Sequence, residues 1–389
     1  MRARLPYDVY TTELLTGDNS HSSVALGVSG TSSREREASV LRRLRATAYE
    51  RRALLHVQIE LTKSCNLHCQ HCYVVGQGDR LPLDRVMTLL DEAAALGCMA
   101  VTLTGGEVAL RDDWLDIASA VRERRMIFSV FTNGTLLSDA DCRRLASLKP
   151  KAVGMSLYAS NAEIHDQITG VSGSFTRTVS TARQLRKYGV TCEIKNVLMR
   201  ENIAYVEQTE QLASELGCIY QFDATVAPRA DGDTSVLLHR VTGEALRGFF
   251  MGLLDRRRTD LLSRKACDAI GQIAPAPRAM SNCTAGFTSV HIDAYGDVYP
   301  CTGFLPAWGN VNAAPLAEIW HGEAATRHRF IMQSPLRPEC SACDLRPYCT
   351  VRCPRLALVE DGDISGPSSR ACEVANIVRE MHDRLLAYV

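Results

Sequence analysis

Six apolar, β-rich runs alternate with five helical patterns between residues 54 and 230, and this rhythm narrows the fold more than any other feature of the chain. The runs are 55–61 (LHVQIEL), 99–104 (MAVTLT), 126–132 (MIFSVFT), 152–158 (AVGMSLY), 190–198 (VTCEIKNVL) and 218–226 (CIYQFDATV). The helical patterns lie near 82–97, 111–124, 138–148, 174–188 and 202–216. Strand and helix alternating at this spacing predict an α/β fold with a parallel sheet or barrel. Six units fit a partial (β/α)6 barrel of the TIM type better than a closed eight. No shorter repeat underlies the alternation.

The flanks read differently. Residues 1–53 form an N-terminal extension, polar and rich in Ser, Thr and Gly to about residue 33, where part of it is expected to be flexible. Residues 34–52 then pattern as a basic amphipathic helix, with seven Arg against three Glu. Val40, Leu41 and Leu44 are its candidate core face; its basic face is solvated or meets an acidic peptide. Residues 231–266 read as a connector with a helix at 241–257. From 267 to 389 the alternation stops, and short strands, Gly and Pro turns and cysteines take over. Such a segment is expected to draw stability from bound metal.

At 389 residues the chain has room for two or three domains and a large core. Its 44 basic and 44 acidic side chains balance, so no electrostatic case exists for nucleic acid as a partner. No apolar run reaches the roughly 18 residues of a membrane span, and no apolar h-region marks a secretory signal. A cytoplasmic protein with no membrane partner is expected.

Fifteen cysteines stand out, three of them between 65 and 72 and seven between 283 and 372. Thiols in a reducing cytosol seldom pair as disulfides, so such clusters point to metal or redox chemistry. The first reads Cys65-Asn-Leu-His-Cys69-Gln-His-Cys72-Tyr73. Three thiolates on one tight loop can hold three corners of a four-iron cube and leave the fourth iron open. A zinc site closed by His68 or His71, or a redox pair of Cys69 and Cys72, are the alternatives.

The C-x3-C-x2-C spacing resembles the signature of the radical S-adenosylmethionine (SAM) superfamily. Thr104-Gly105-Gly106-Glu107, at the end of the second run, is similar to that family's Gly-Gly-Glu segment. The resemblance implies that this segment receives the SAM amino group: glycines allow close backbone approach, and a carboxylate accepts from an ammonium. It further implies SAM contacts at Asn133 in Thr132-Asn133-Gly134, at Ser156, and at Lys195 beside Asn196. All of these lie at or near C-terminal strand ends, where barrel enzymes place their chemistry. The chain departs from the family pattern at Thr169, where an Arg often stands, and at Val108 in place of Pro. Lys195 could replace that Arg against the SAM carboxylate.

The second cluster runs Cys283, Cys301, Cys340-x2-Cys343-x5-Cys349-x3-Cys353, then Cys372, with Gly296 at the turn of a hairpin that delivers Cys301. This resembles the SPASM extension of radical SAM enzymes, which binds two auxiliary [4Fe–4S] clusters. By resemblance, Cys283, Cys301 and Cys353 hold the first, with Cys267 the candidate fourth ligand or a site left vacant for substrate. Cys340, Cys343, Cys349 and Cys372 hold the second. Cys98, Cys142, Cys192 and Cys218 remain and are expected to be buried structural thiols.

The resemblance implies a mechanism as well. SAM on the open iron of a [4Fe–4S] cluster is cleaved reductively, with electrons from a donor such as flavodoxin or ferredoxin. The resulting 5′-deoxyadenosyl radical takes a hydrogen atom from the substrate. A ribosomally made precursor peptide is the expected substrate, and an oxidative change such as a crosslink the expected product. Thr302 after Cys301 disfavours sulfatase maturation, where an Asp follows that cysteine. A small molecule such as a sugar or amino acid derivative, a peptide epimerase reaction, and a zinc-stabilised binding module are the alternatives. The 64 residues before Cys65 do not clearly pattern as a winged-helix leader-binding domain, so leader binding is expected to be either reduced or supplied by a separate leader-binding protein.

Overall fold

In the computed structural model the described residues are 43–44, 46–76, 78, 80–261, 283–349 and 352–387. They fall into two compact units: one drawn from the described residues of 53–241 and 285–328, the other from those of 43–52, 242–261, 283–284 and 329–387.

The first unit is a mixed α/β structure on one sheet. Its strands are β1 (His56–Glu60), β2 (Ala100–Thr104), β3 (Ile127–Thr132), β4 (Ala152–Ser156), β5 (Cys192–Val197) and β6 (Ile219–Asp223). They lie in chain order and are all parallel, the six-stranded partial barrel that the alternation predicts. The connecting helices are α1 (Leu83–Ala95), α2 (Trp114–Glu123), α3 (Asp139–Ser147), α4 (Ala162–Thr169), α5 (Ser174–Lys187) and α6 (Val206–Glu215). Helix α1 shows why: Val86, Leu89, Leu90 and Ala93 recur at helical spacing and all are buried. Strands β2 and β4 are buried on nearly every residue because helices cover the sheet. Ser138 starts α3 with a capping box to Asp141.

Helix α4 is absent from the sequence reading. Its eight residues are too few and too polar to show a long apolar stripe, but Asn161 caps it, the side chain accepting from Ile164 N at 3.0 Å.

The sheet also continues past β1. Strand β7 (Ser289–Ile292) pairs with it in parallel, His56 opposite Ser289. The short antiparallel strands β8 (Asp297–Tyr299) and β9 (Gly309–Asn310) follow, giving the order 6-5-4-3-2-1-7-8-9. Gly296 makes the β7–β8 turn at φ 92°, where a side chain would meet Asn312 Nδ2 at 2.8 Å. Further bonds anchor this return to the barrel. Arg85 Nε donates to Val311 O at 2.8 Å, and Glu92 accepts from Leu316 N at 2.7 Å. By compactness, then, 285–328 stay with the barrel, whereas composition puts a boundary at 267.

The second unit contains α7 (Gly243–Leu261), α8 (Pro338–Ser341), α9 (Pro354–Asp361) and α10 (Ser369–Leu386). Arg247 of α7 holds Glu380 of α10 at 2.7 Å, and Gly243 N donates to Glu373 at 2.6 Å. An 18-residue C-terminal helix is more regular structure than the expected run of strands and turns. Residues 43–44 and 46–50 are helical, but Leu44 is 56% exposed and does not face a core; the residue buried there is Ala48. Val40, Leu41 and the polar stretch before them lie outside the described residues. Among those described, no helix is long and apolar enough to cross a membrane.

Candidate active site

The C-terminal ends of β1, β2 and β3 meet at the first cysteine loop. Beyond β1 the backbone stays paired: Leu61 N donates to Thr104 O, Gly106 N to Thr62 O and Glu107 N to Ser64 O, at 2.7–2.8 Å. Gly105 and Gly106 lie flat against this segment. A Cβ on Gly105 would stand 2.8 Å from Thr62 O, and one on Gly106 would stand 2.6 Å from Lys63 O. The glycines therefore seat the entrance of the cysteine loop. The loop itself hangs on the end of α4, with His68 N donating to Thr169 O at 2.8 Å and Gln70 N to Ile168 O at 3.1 Å.

Cys65, Cys69 and Cys72 are partly buried and converge. Burial raises all three thiol pKa values, and the charges of the neighbouring cysteines raise those of Cys65 and Cys69 further. Cys69 is pushed up to about 12. Three such thiols on one loop suit a cation that displaces their protons, and this donor set fits the iron–sulfur group the spacing implies. Among the described residues no group of three or more His, Cys, Asp and Glu side chains gathers around a point that could hold a single metal ion.

Glu107 is fully buried beneath the loop. Its carboxylate accepts from Thr132 Oγ1 at 2.6 Å, Asn133 N at 2.6 Å and Ala109 N at 3.1 Å. Burial raises its pKa and these donors oppose the rise. The side chain expected to meet an ammonium thus also pins the end of β3 to the Gly-Gly turn. Asn133 completes the link: its Nδ2 lies 3.9 Å from Cys65 Sγ and 2.9 Å from Asn66 Oδ1.

Ser156 and Lys195 stand opposite each other at the ends of β4 and β5. Lys195 ion-pairs with Glu193 at 2.8 Å, bonds Gln221, and lies 5.4 Å from the Phe131 ring centroid. Its charge is thus shared within the sheet. Asn196 points into the protein, donating to Tyr158 O at 3.4 Å. Thr169 is buried and bonded to Ser174 and the Asp166 carbonyl.

Tyr158 is the residue that sequence reading misses. Cys69 and Ser156 are close enough to its hydroxyl to shift its ionisation, and its ring packs edge-on against His71, centroids 4.7 Å apart. The ring sits in a cluster with Ile168, Met199, Val226 and Val236, against which Cys69 packs. The only available signal was its place, two residues past the Ser at a strand end. His165 fixes the backbone there, Nδ1 accepting from Tyr158 N at 3.1 Å.

That bond requires a neutral imidazole, and burial lowers the pKa of both His165 and His71 to about 4. Unfolded histidines titrate near 6.5, so between about pH 6.5 and 4 the unfolded chain binds protons that the folded chain refuses. Stability is therefore lost as pH falls through this window, by at most about 1.4 kcal/mol per pH unit for each histidine. Thermal unfolding midpoints should fall from pH 7 to pH 5, and a His165→Asn protein should show a shallower fall. A slope unchanged by the substitution would refute the assignment.

Beside the cysteine loop lies an open cleft of about 360 Å³, bounded by Tyr73 just after Cys72 and by Thr302 just after Cys301. Cys301 belongs to this unit, at the end of the β7–β8 hairpin. In the second unit, burial raises Cys340, Cys349 and Cys372, the charge of Cys372 raises Cys340 and Cys349 further, and Arg352 opposes the rise in each. Cys343 contributes to raising all three. Cys283 and Cys353 are also in the second unit and partly buried; Cys267 lies outside the described residues. Cys98, Cys142, Cys192 and Cys218 are buried, as expected of structural thiols.

Comparison with known proteins follows the same lines. Residues 59–213 match the profile of the Radical SAM superfamily, and residues 283–344 match SPASM, an iron–sulfur cluster-binding domain. An AdoMet-dependent heme synthase of Methanosarcina barkeri is 27% identical over 324 residues, 78% of this chain and 92% of that protein. A PqqA peptide cyclase of Ruegeria pomeroyi is 28% identical over 344 residues, 79% and 85% of the two chains. Among solved structures, Streptococcus suis SuiB bound to the precursor peptide SuiA superposes with a TM-score of 0.67 at 18% identity. That match covers 90% of this chain and 84% of SuiB.

Proposed function

This chain belongs to the radical SAM superfamily and carries a C-terminal SPASM domain, and on that premise we propose that it modifies a ribosomally made precursor peptide oxidatively, most simply by closing a crosslink. It is a radical SAM enzyme; a [4Fe–4S] cluster and SAM serve the barrel, and the SPASM domain binds iron–sulfur.

In this reading Cys65, Cys69 and Cys72 hold the SAM-binding cluster and leave one iron open. When bound, cluster and SAM together supply the 5′-deoxyadenosyl radical that takes a hydrogen atom from the substrate. The chain's own part is placement. Gly105 and Gly106 let the backbone approach SAM, Glu107 and Asn133 hold the turn beside it, and Ser156 and Lys195 border it. Tyr158 belongs to the apolar cluster against which Cys69 packs. Cys283, Cys301 and Cys353 with Cys267, and Cys340, Cys343, Cys349 and Cys372, are the two auxiliary ligand sets. Electrons come from a flavodoxin or ferredoxin.

One observation carries the choice of substrate. The cleft between Tyr73 and Thr302 is lined by tyrosines and by the charged side chains of Glu60, Lys63 and Asp293, a lining suited to the single side chains of a peptide. The peptide cyclase relative agrees with this. The heme synthase relative favours a second reading, a tetrapyrrole precursor.

Co-expression with a short peptide encoded beside this protein decides between them. Mass spectrometry should find the peptide lighter by two hydrogen atoms. Unchanged mass with deuterium taken up from solvent would mean epimerisation. An untouched peptide together with turnover of a tetrapyrrole would overturn the proposal.

A further inference from the structure

The cleft beside the cysteine loop contains a buried charge imbalance. Lys63 Nζ stands 2.7 Å from Glu60 Oε2 and 3.4 Å from Asp293 Oδ2, and all three side chains are nine-tenths buried or more. One ammonium faces two carboxylates. The other groups lining the cleft do not restore the balance. His291 is 5% exposed, and burial lowers its pKa to about 3, so it adds no positive charge. Asp297, on the hairpin, adds a further carboxylate nearby, bonded to Asn310 at 2.9 Å.

Two features make this more than an acidic cluster. The His291 ring lines the cleft, and its Nδ1 is buried without a hydrogen-bond partner among the described residues. Nε2 lies 3.9 Å from Glu60 Oε2. With the proton on Nε2, facing Glu60, Nδ1 presents a lone pair to an incoming N–H donor. In addition, Tyr73 and Tyr299 supply aromatic walls, a surface that favours cations. The Glu60 carboxylate has about four acceptor positions; Lys63 is its ion-pair partner, and Oε2 is buried without a further hydrogen-bond partner among the described residues.

We propose that this cleft receives a cationic group of the substrate, a lysine ammonium or arginine guanidinium, with Glu60 and Asp293 as its counter-charges and His291 Nδ1 as a further acceptor. The proposal rests on the peptide reading for its biological source. The chemistry of the cleft does not. The opposite occupant, a carboxylate drawn to Lys63, would add a third buried negative charge beside two.

The test uses the full-length, iron-loaded enzyme with SAM bound. Binding is measured for n-butylammonium against n-butyrate, and for acetyl-Gly-Gly-Lys-Gly-Gly-amide against its norleucine analogue. Each cationic probe should bind roughly tenfold tighter than its partner, and Glu60→Gln should erase that preference. Should Glu60→Gln fail to load iron, Asp293→Asn replaces it, and the wild-type comparison stands without either variant. Equal binding, a preference for butyrate, or a preference that survives both substitutions overturns the proposal. The two readings fail separately. Butylammonium binding with no peptide binding sinks the peptide substrate and keeps the cation site. A modified peptide without cation preference does the reverse.

Discussion

A Cys69→Ala enzyme is expected to lose about four irons per chain, out of the roughly twelve that the three proposed four-iron clusters would carry, and to release no 5′-deoxyadenosine above background. Cys69 is the most deeply set of the three loop thiols, and burial with the charges of Cys72 and Cys65 pushes its pKa to about 12. Without iron it is a thiol. Only bound metal makes it a thiolate, so the energy of the site resides in metal–sulfur bonds rather than in a preformed anion. Two remaining cysteines cannot hold the cube with one corner free for SAM. Cys65→Ala and Cys72→Ala should behave alike, whereas Cys142→Ala, which removes a buried thiol on α3, should keep full iron and full SAM cleavage. Iron assay and chromatography of deoxyadenosine read both effects. Sustained deoxyadenosine release from the triple variant would refute the site.

Gly106→Ala is expected to be nearly as severe. A methyl group there meets the Ser64 and Lys63 carbonyls, which are backbone and cannot swing aside. The paired strands Thr62–Ser64 and Gly106–Glu107 must part, breaking bonds of 2.7–2.8 Å at the mouth of the cysteine loop. Overpacking of this kind costs about 1–3 kcal/mol, visible as a lower unfolding midpoint. SAM cleavage should fall by two orders of magnitude or so, because misplacing a loop by an ångström costs about that much. Gly78→Ala is the control. No atom lies within 4 Å of its Cβ position, and only its positive φ is strained. Equal activity in the Gly106 and Gly78 variants would show that the close packing is irrelevant.

The barrel was legible because it is built from local patterns. Each expected strand is present within two residues at its start, since apolar β-branched runs such as 99–104 can be buried on both faces only between helices. Cysteine spacing and the Gly-Gly-Glu segment likewise carry their chemistry in adjacent residues. What escaped is non-local. Strand β7, with the sequence SVHI, is too short to announce a partner more than two hundred residues upstream. Tyr158 looks like any aromatic at a strand end until α4 sets His165 against it. Lys63 reads as a solvated residue of a loop until the hairpin brings Asp293 to 3.4 Å. The partners of Lys195 were legible only in part: Glu193 alternates onto its face, whereas Gln221 arrives from the next strand.

The seam between β1 and β7 bears on how the molecule is made. β1 leaves the ribosome long before β7, and its outer edge cannot be zipped until residues 289–292 have been synthesised. For most of translation that edge is an open template for any passing strand. A nascent chain stopped after β6 would present it permanently, so truncation there should yield inclusion bodies rather than a smaller working barrel.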